Sequence, residues 1–341
     1  MSKQEQTVIR QSDTVVRINT VTKHFEQWQR SGQGKNILKN LFKPEKKVIC
    51  ALDDISFCVK KGEFLAYAGP NGAGKSTTMK LLCGMLLPTS GDIEVLSLSP
   101  KKDRIALMKR LGVLFGNRTE LWWDHPVISS FEWKRVVWDI PKEQFIKQRD
   151  MVVEMLDIGD LLHTFARELS LGQRMRADVA MMLLHQPELI LLDEPTLGLD
   201  VLAKRRMIGF LKELNREQGT TVIVTSHDMD DLEEMARRIL LITHGKIAFD
   251  GSFENLRRTV GGLCRVTITM KNGTVPQLTC GNLISANNGI YEFEVDTTKM
   301  PVKKVLAEIS AAEGVEDIEF RKAPIEQVIA ELYTSWKEQG M

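Results

Sequence analysis

Gly69-Pro70-Asn71-Gly72-Ala73-Gly74-Lys75-Ser76-Thr77 fits the pattern G-x-x-x-x-G-K-[ST] at every fixed position. Such a run is a phosphate-binding loop. Its glycines let successive backbone N–H groups point inward, and the helix that follows adds the positive end of its dipole. Lys75 is placed to reach the outer phosphates as a point charge, and the Ser76 hydroxyl to complete the coordination of Mg²⁺. The flanks agree with this reading. Glu63 to Ala68 is a short apolar run suited to a buried strand, and Ser76 to Leu87 is a helix former ended by Pro88.

Composition bounds the rest. The chain has 341 residues, 43% apolar and 27% charged, with a formal net charge of +1, enough for two domains and without the basic excess of a nucleic-acid binder. A membrane-spanning helix needs roughly 20 mostly apolar residues, and runs such as Leu189 to Leu192 stop far short. The expectation is a chain that does not cross a membrane by itself and begins without a secretion signal. The five cysteines are scattered and form no C-x-x-C pair, so neither a disulfide framework nor a zinc site is expected, and a reducing cytoplasm is the simplest setting.

Upstream of the loop, Val8 to Phe25 alternates as a strand feeding a turn near Lys23-His24-Phe25. Phe25 is either a stacking platform or a core aromatic at a strand end. A basic insertion spans about 26–47, with a short apolar stripe at Ile37, Leu38, Leu41 and Phe42. It suits a membrane surface or a partner helix, and equally an ordinary solvated helix. Val48 to Val59 and Phe64 to Ala68 bracket a turn at Lys60 to Glu63, bringing a strand back toward the sheet edge. Beyond a strand at Gly91 to Leu96, helical patterns dominate from Lys101 to Arg167 and hold four of the six tryptophans. Those rings either pack the inserted subdomain or mark a protein contact.

Three downstream stretches complete a constellation. Leu189 to Leu192 reads as a buried parallel strand carrying Asp193 and Glu194 at its C-terminal end, where an open α/β sheet places its site. Asp193 is suited to the Mg²⁺ shell and Glu194 to polarising an attacking water. Ser170 and Gln173 have capping-box spacing ahead of a helix over Arg174 to His185, a terminus that binds an anion or is simply capped. Thr221 to Ser226 is a second buried strand, ending in His227 at the same sheet edge. A neutral imidazole there can contact the outermost phosphate.

In order and spacing these residues resemble the nucleotide-binding subunit of ATP-binding cassette transporters, from about Val15 to Ser252. The resemblance implies an α/β fold: a P-loop NTPase cassette with a parallel core sheet, an antiparallel β part and a helical subdomain at about 101–167, followed by a small C-terminal α+β domain. It sets the domains at 1–255 and 256–341. Gly69, Pro70, Asn71, Gly72, Ala73, Gly74, Lys75, Ser76 and Thr77 correspond to Walker A, and Leu189 to Glu194 to the Walker B strand with its catalytic glutamate. Ser170, Leu171, Gly172 and Gln173 stand at the family signature, with Leu171 where its first glycine usually is, Asp200 at the D-loop and His227 at the switch histidine. Phe25 stands where the family stacks an aromatic on adenine, and Asn117 where a glutamine normally meets Mg²⁺ and the membrane subunit. The implied cofactors are ATP and Mg²⁺.

The resemblance further implies a head-to-tail homodimer, or a heterodimer with a second cassette, in which Ser170 and Gly172 serve the partner's ATP. Integral membrane permease subunits are the expected further partners, and nucleic acid is not. The place expected for the chain is peripheral, on the cytoplasmic face of the membrane. Phe115 to Pro126, with its paired tryptophans, is similar to cassettes accompanying exporters of the ABC-2 type. An importer ATPase is the alternative reading, and a soluble cassette acting on ribosomes or DNA a third. In the C-terminal part, strands are expected over Leu263 to Met270, Gly289 to Val295 and Val315 to Arg321. Helices are expected over Val302 to Ala312 and from Pro324 to Trp336, the latter opening on Pro324-Ile325-Glu326-Gln327.

Overall fold

A computed structural model describes residues 13–29, 45–115, 119–259, 263–271, 278–279, 281–297, 300–312, 314–322, 325 and 328–332. The chain divides into two units, Met1–Asp250 and Gly251–Met341.

In the first unit two long strands, β1 (Thr14–Gln29) and β2 (Glu45–Lys60), pair antiparallel. A short buried strand, β3 (Phe64–Ala68), leads through the glycine-rich loop into helix α1 (Lys75–Leu82). There follow β4 (Ser90–Val95), α2 (Arg104–Met108) and β5 (Leu111–Phe115). Helices α3 (Val127–Val137), α4 (Lys142–Met155) and α5 (Leu171–Leu183) form the helical segment. The chain then alternates β6 (Leu189–Asp193), α6 (Val201–Gln218), β7 (Thr221–Thr225), α7 (Met229–Met235), β8 (Arg238–Thr243) and β9 (Lys246–Ser252).

Two sheets result, ordered β2-β1-β4 and β5-β6-β7-β3-β8-β9. In the second, β5, β6, β7, β3 and β8 run parallel. Each of β3, β6 and β7 is apolar and buried almost throughout, as strands covered on both faces must be. Val16, Ile18 and Leu52 of the antiparallel sheet share one core with Leu65 and Tyr67 of β3 and with Met79 and Leu82 of α1. That shared core seats β2 beside the start of α1.

Several sequence expectations change here. The turn expected near Lys23 to Phe25 is absent. The strand runs on to Gln29, and register shifts between Val21 and His24 absorb the irregularity. Residues 26–29 and 45–47 therefore belong to paired strands, and the rest of the basic insertion lies outside the described residues. β3 is not returned to an edge but stands between β7 and β8, because the chain crosses from one sheet to the other at Lys61-Gly62. Helix α1 stops at Leu82 rather than Leu87. Gly84, at φ +68°, turns the chain away in a space where a Cβ would lie 2.5 Å from the Pro100 carbonyl oxygen. Strand β5 sits inside the stretch read as helical, so the helical segment begins beyond it. Helix α5 starts at Leu171 instead of Arg174.

The tryptophans of the helical segment form a ladder. Ring centroids lie 5.5 Å apart for Trp122 and Trp133, 6.4 Å for Trp133 and Trp138, and 5.8 Å for Trp138 and His185. Phe131 packs in the core, while Trp122, Trp123 and Trp133 are exposed.

The second unit holds α8 (Phe253–Thr259), β10 (Leu263–Met270), β11 (Gly281–Asn287), β12 (Ile290–Asp296), α9 (Val302–Ser310) and β13 (Val315–Lys322). Its antiparallel sheet is ordered β11-β12-β10-β13. Val266, Ile268, Tyr291 and Phe293 on one face pack with Val305 and Ile309 of α9. β11 was not expected, since it is exposed on both faces and shows no apolar alternation. Pro324, Glu326 and Gln327 lie outside the described residues; Ile325, Val328, Ile329 and Leu332 are buried.

Candidate functional site

The glycine-rich loop is shaped by contacts that admit no side chain. A Cβ at Gly69 would stand 2.1 Å from the Ile242 carbonyl oxygen. Gly74 has φ +114°, and a Cβ there would meet Leu52 Cδ2 at 2.6 Å and the Ala51 oxygen at 2.8 Å. The loop is also braced from below. Tyr67 Oη and Thr78 Oγ1 lie 3.0 Å apart, and Thr78 Oγ1 donates to the Gly74 oxygen at 3.1 Å. Burial raises the Tyr67 pKa, so the phenol stays neutral.

A cavity of about 180 Å³ opens beside the loop, lined by Ala51, Asn71, Gly72, Gly74, Lys75, Ser76, Thr77 and Glu194. Lys75 Nζ donates to the carbonyl oxygens of Gly69 at 2.7 Å and Pro70 at 3.2 Å. Burial lowers the Lys75 pKa, against the pull of Glu194 and Asp193. The hydrogen bonds of the ammonium thus go to two backbone carbonyls, which a phosphate oxygen can replace.

Strand register brings the acidic groups to the same edge. Phe115, Asp193 and Thr225 are consecutive partners across β5, β6 and β7. Asp193 accepts from Ser76 Oγ at 2.8 Å through Oδ2 and from Thr225 Oγ1 at 2.6 Å through Oδ1. The strand ends there. Glu194 turns out of it at φ +61°, a left-handed conformation sparsely used by residues other than glycine, while its N–H donates to the Thr225 oxygen at 3.1 Å. The turn aims the carboxylate at the cavity and at His227, whose Nε2 lies 2.6 Å from Glu194 Oε1. The imidazole is 48% exposed and the carboxylate 20%; Glu194 lines the cavity, and His227 and Asp193 do not.

The remaining sequence candidates fall in different places. Ser170 caps α5 with its full box: Oγ accepts from Gln173 N–H at 3.3 Å, and Ser170 N–H donates to Gln173 Oε1 at 2.9 Å. None of Ser170, Leu171, Gly172 and Gln173 lines the cavity. At Gly172 a Cβ would meet only Leu199 Cδ2, at an ordinary 3.5 Å, so the chain's own packing does not require glycine there. Asp200 caps α6, accepting from Leu202 and Ala203 N–H at 2.9 Å each. Phe25 pairs with Ile49, two residues before the cavity's Ala51, and carries Lys23 Nζ 5.0 Å from its ring centroid. Its ring is not part of the cavity wall. Asn117 lies outside the described residues.

Sequence reasoning missed Thr225, Ala51, Tyr67 and Thr78. Thr225 follows only from the register of β7 on β6, and Ala51 only from the packing of one sheet on the other. A larger groove of about 920 Å³ opens at the N-terminal ends of β3, β7 and β8. Its Arg238 is already engaged by Glu63, Asp250 and the Cys58 carbonyl, and open α/β sheets bind ligands at the other edge.

Comparison with known proteins gives the family. Residues 52–197 match the family model described as ABC transporter. YhcH of Bacillus subtilis, an ABC transporter ATP-binding protein, is 35% identical over 217 residues, 62% of this chain and 67% of that protein. The methionine import ATP-binding protein MetN of Carboxydothermus hydrogenoformans is 30% identical over 222 residues, 63% of this chain and 65% of its own length. Among solved structures, the dimeric post-hydrolysis state of the cassette MJ0796 bound to ADP and Pi has a TM-score of 0.58. It covers 70% of this chain and 98% of that one at 24% identity, and speaks to the fold. The chain belongs to the ABC transporter family, as an ATP-binding subunit with ATPase activity.

Proposed function

We propose that this chain is the ATPase subunit of an exporter, working as a head-to-tail dimer with separate transmembrane subunits on the cytoplasmic face of the membrane. The observation that carries the hydrolytic part is the Glu194 carboxylate, turned out of its strand toward both the cavity and His227. Glu194 accepts the proton of a water whose oxygen bonds to the γ-phosphorus as the bond to ADP breaks. His227 orients the carboxylate and contacts the outermost phosphate. Lys75 and the N–H groups of Gly72 to Thr77 hold the phosphate chain.

The fit to Mg²⁺ rests on the donor set. A hydroxyl and a carboxylate, Ser76 and Asp193, already touch at the loop's end. Two hard oxygen donors beside a phosphate cradle are the protein's usual share of a Mg²⁺ shell, the rest being phosphate and water. When bound, the ion neutralises charge on the β- and γ-phosphates.

Because Ser170 and Gly172 stand off the cavity while Gly172 keeps an open approach, they are assigned to the ATP of a second copy. Phe25 is assigned to the adenine, Asp200 to the dimer contact, and Asn117 to the membrane subunit. The exposed rings of Trp122, Trp123 and Trp133 are assigned to contact with the transmembrane subunits. Residues 1–255 then form the cassette and 256–341 an accessory or dimerisation domain. Among the described residues no helix is long and apolar enough to cross a membrane, which fits a motor working on separate channel subunits.

Export is favoured by the resemblance of Phe115 to Pro126 to ABC-2-type cassettes. Import is the second reading, favoured by similarity to the methionine import protein MetN. Copurification tests both. Two integral membrane subunits without a secreted binding protein support export, such a binding protein supports import, and association only with ribosomes or DNA removes transport.

A further inference from the structure

Behind the catalytic edge, groups that take no part in holding phosphate tie the Glu194 and His227 segments together. Lys204, in the first turn of α6, extends Nζ to Asp228 Oδ2 and, at 2.9 Å, to Asp231 Oδ1. Asp228 follows His227 directly and caps α7, accepting from the Asp231 N–H at 3.2 Å. Asp231 is 5% exposed, and its other oxygen accepts from the Thr196 hydroxyl at 3.0 Å. Thr196 in turn lies two residues beyond Glu194. One lysine therefore joins the stretches 194–196, 200–204 and 227–231.

The arrangement is ionic and directional. Burial opposes the Lys204 charge, yet the bonds to Asp228 and Asp231 outweigh it and raise its pKa above the ordinary lysine value. Asp200, four residues earlier, begins the same helix, and the adjoining Val201 and Leu202 are each 67% exposed. At the other end, His227 is held at 2.6 Å from Glu194 although half of its ring is in solvent. An exposed ring keeps such a contact only while the backbone of its loop is fixed.

We propose that Lys204 is a positioning residue for ATP hydrolysis: by gripping Asp228 and Asp231 it fixes the His227 loop against Glu194. This rests on the roles given above to Glu194 and His227. It goes beyond them in naming a residue that touches neither substrate nor the reacting atoms.

Steady-state ATP hydrolysis by the full-length chain with Mg²⁺ tests it in a double-mutant cycle. Lys204→Ala is expected to lower kcat about tenfold with KM for ATP held within about twofold, and Lys204→Arg to keep most of the turnover. In a His227→Ala background, Lys204→Ala is expected to lower kcat by less than about twofold, because the group it positions is gone. The same fold loss in both backgrounds, a changed KM alone, or an unchanged kcat overturns the proposal. Melting curves identify a variant that fails to fold, in which case Lys204→Gln, one bond shorter and uncharged but still a donor, enters the same cycle. If His227→Ala turns over at the wild-type rate, the reading of the site falls and the proposal with it. If His227→Ala is slow but Lys204→Ala is not, the proposal alone falls.

Discussion

At the carboxyl edge of the parallel sheet, Asp193 and Glu194 face two hydroxyls, an imidazole and a cavity. In the helical segment Asp178 and Glu120 face a threonine, a backbone N–H and a lysine. The second cluster is the more deeply buried, with Asp178 6% exposed and Lys134 2%. Two groups in or beside it titrate far from their ordinary values. Burial pushes the Asp178 carboxyl up to about 6, and burial with the nearby Lys134 charge pulls the His185 imidazole down to about 4. Yet the hydrogen bonds of Asp178 go to residues 119–121 and staple them to α5. Displaced titration alone therefore does not mark chemistry in this chain: burial shifts Lys75 beside the cavity as well as the staple around Asp178, and what distinguishes the first is a polar group satisfied by replaceable partners beside an opening.

That contrast is broken most severely by changing the one carboxylate with a free approach. Glu194→Gln keeps the shape of the side chain and its hydrogen bonding but not its basicity. The expected result is a fall in kcat of about 10²- to 10⁴-fold, with MgATP binding kept and the nucleotide-bound dimer trapped, read by phosphate release and by sedimentation. Unchanged hydrolysis removes the role given to Glu194.

The next test sets two glycines against each other. Gly74→Ala places a methyl within 2.6 Å of Leu52 Cδ2 in a left-handed turn, and is expected to destabilise the fold by about 2 kcal/mol. Gly172→Ala meets nothing closer than 3.5 Å. It is expected to leave the unfolding free energy within about 0.5 kcal/mol while lowering turnover, because the room it fills belongs to a second copy's ATP. Equal destabilisation by both substitutions ends the distinction.

The smallest effect belongs to the buried cluster. Asp178 has a native pKa of about 6, above the usual carboxylate range, so the folded chain binds that proton more tightly than the unfolded one. The stabilisation it gives is complete below about pH 4 and lost as pH rises through about 6. Asp178→Asn can still accept from Thr119 and Glu120 but no longer titrates. Denaturant unfolding at pH 4 and pH 7 is expected to show the wild type losing on the order of 2 kcal/mol relative to the variant over that interval. Parallel pH profiles show instead that the carboxylate is as well solvated as in the unfolded chain.

The same contrast explains what the sequence made legible. Gly69 to Thr77, Asp193-Glu194 and Ser170 with Gln173 are contiguous runs whose chemistry depends on local spacing, and each stands on the expected strand end or helix start. Thr225 and Ala51 enter the site only through pairing and packing between segments far apart in the chain, which no local pattern encodes. The antiparallel sheet is equally opaque, because β1 pairs β4 across some 70 residues. Glu194 is intermediate: its place at the strand end is readable, but its left-handed turn toward His227 is not. The end of α1 was misread because Pro88 is the louder signal, although Gly84, with its positive φ, turns the chain first.

The central claim is that the cavity beside Gly69 to Thr77 is half of one ATP site, completed by Ser170 and Gly172 of another copy. Mixing two inactive full-length variants tests it. Lys75→Ala removes the phosphate contact, and Ser170→Arg blocks the capped helix that serves the partner's site. In a mixed dimer both lesions fall in one site and the other is intact, so an equimolar mixture is predicted to recover about a quarter of the wild-type ATPase rate. A mixture no more active than either variant alone contradicts the account.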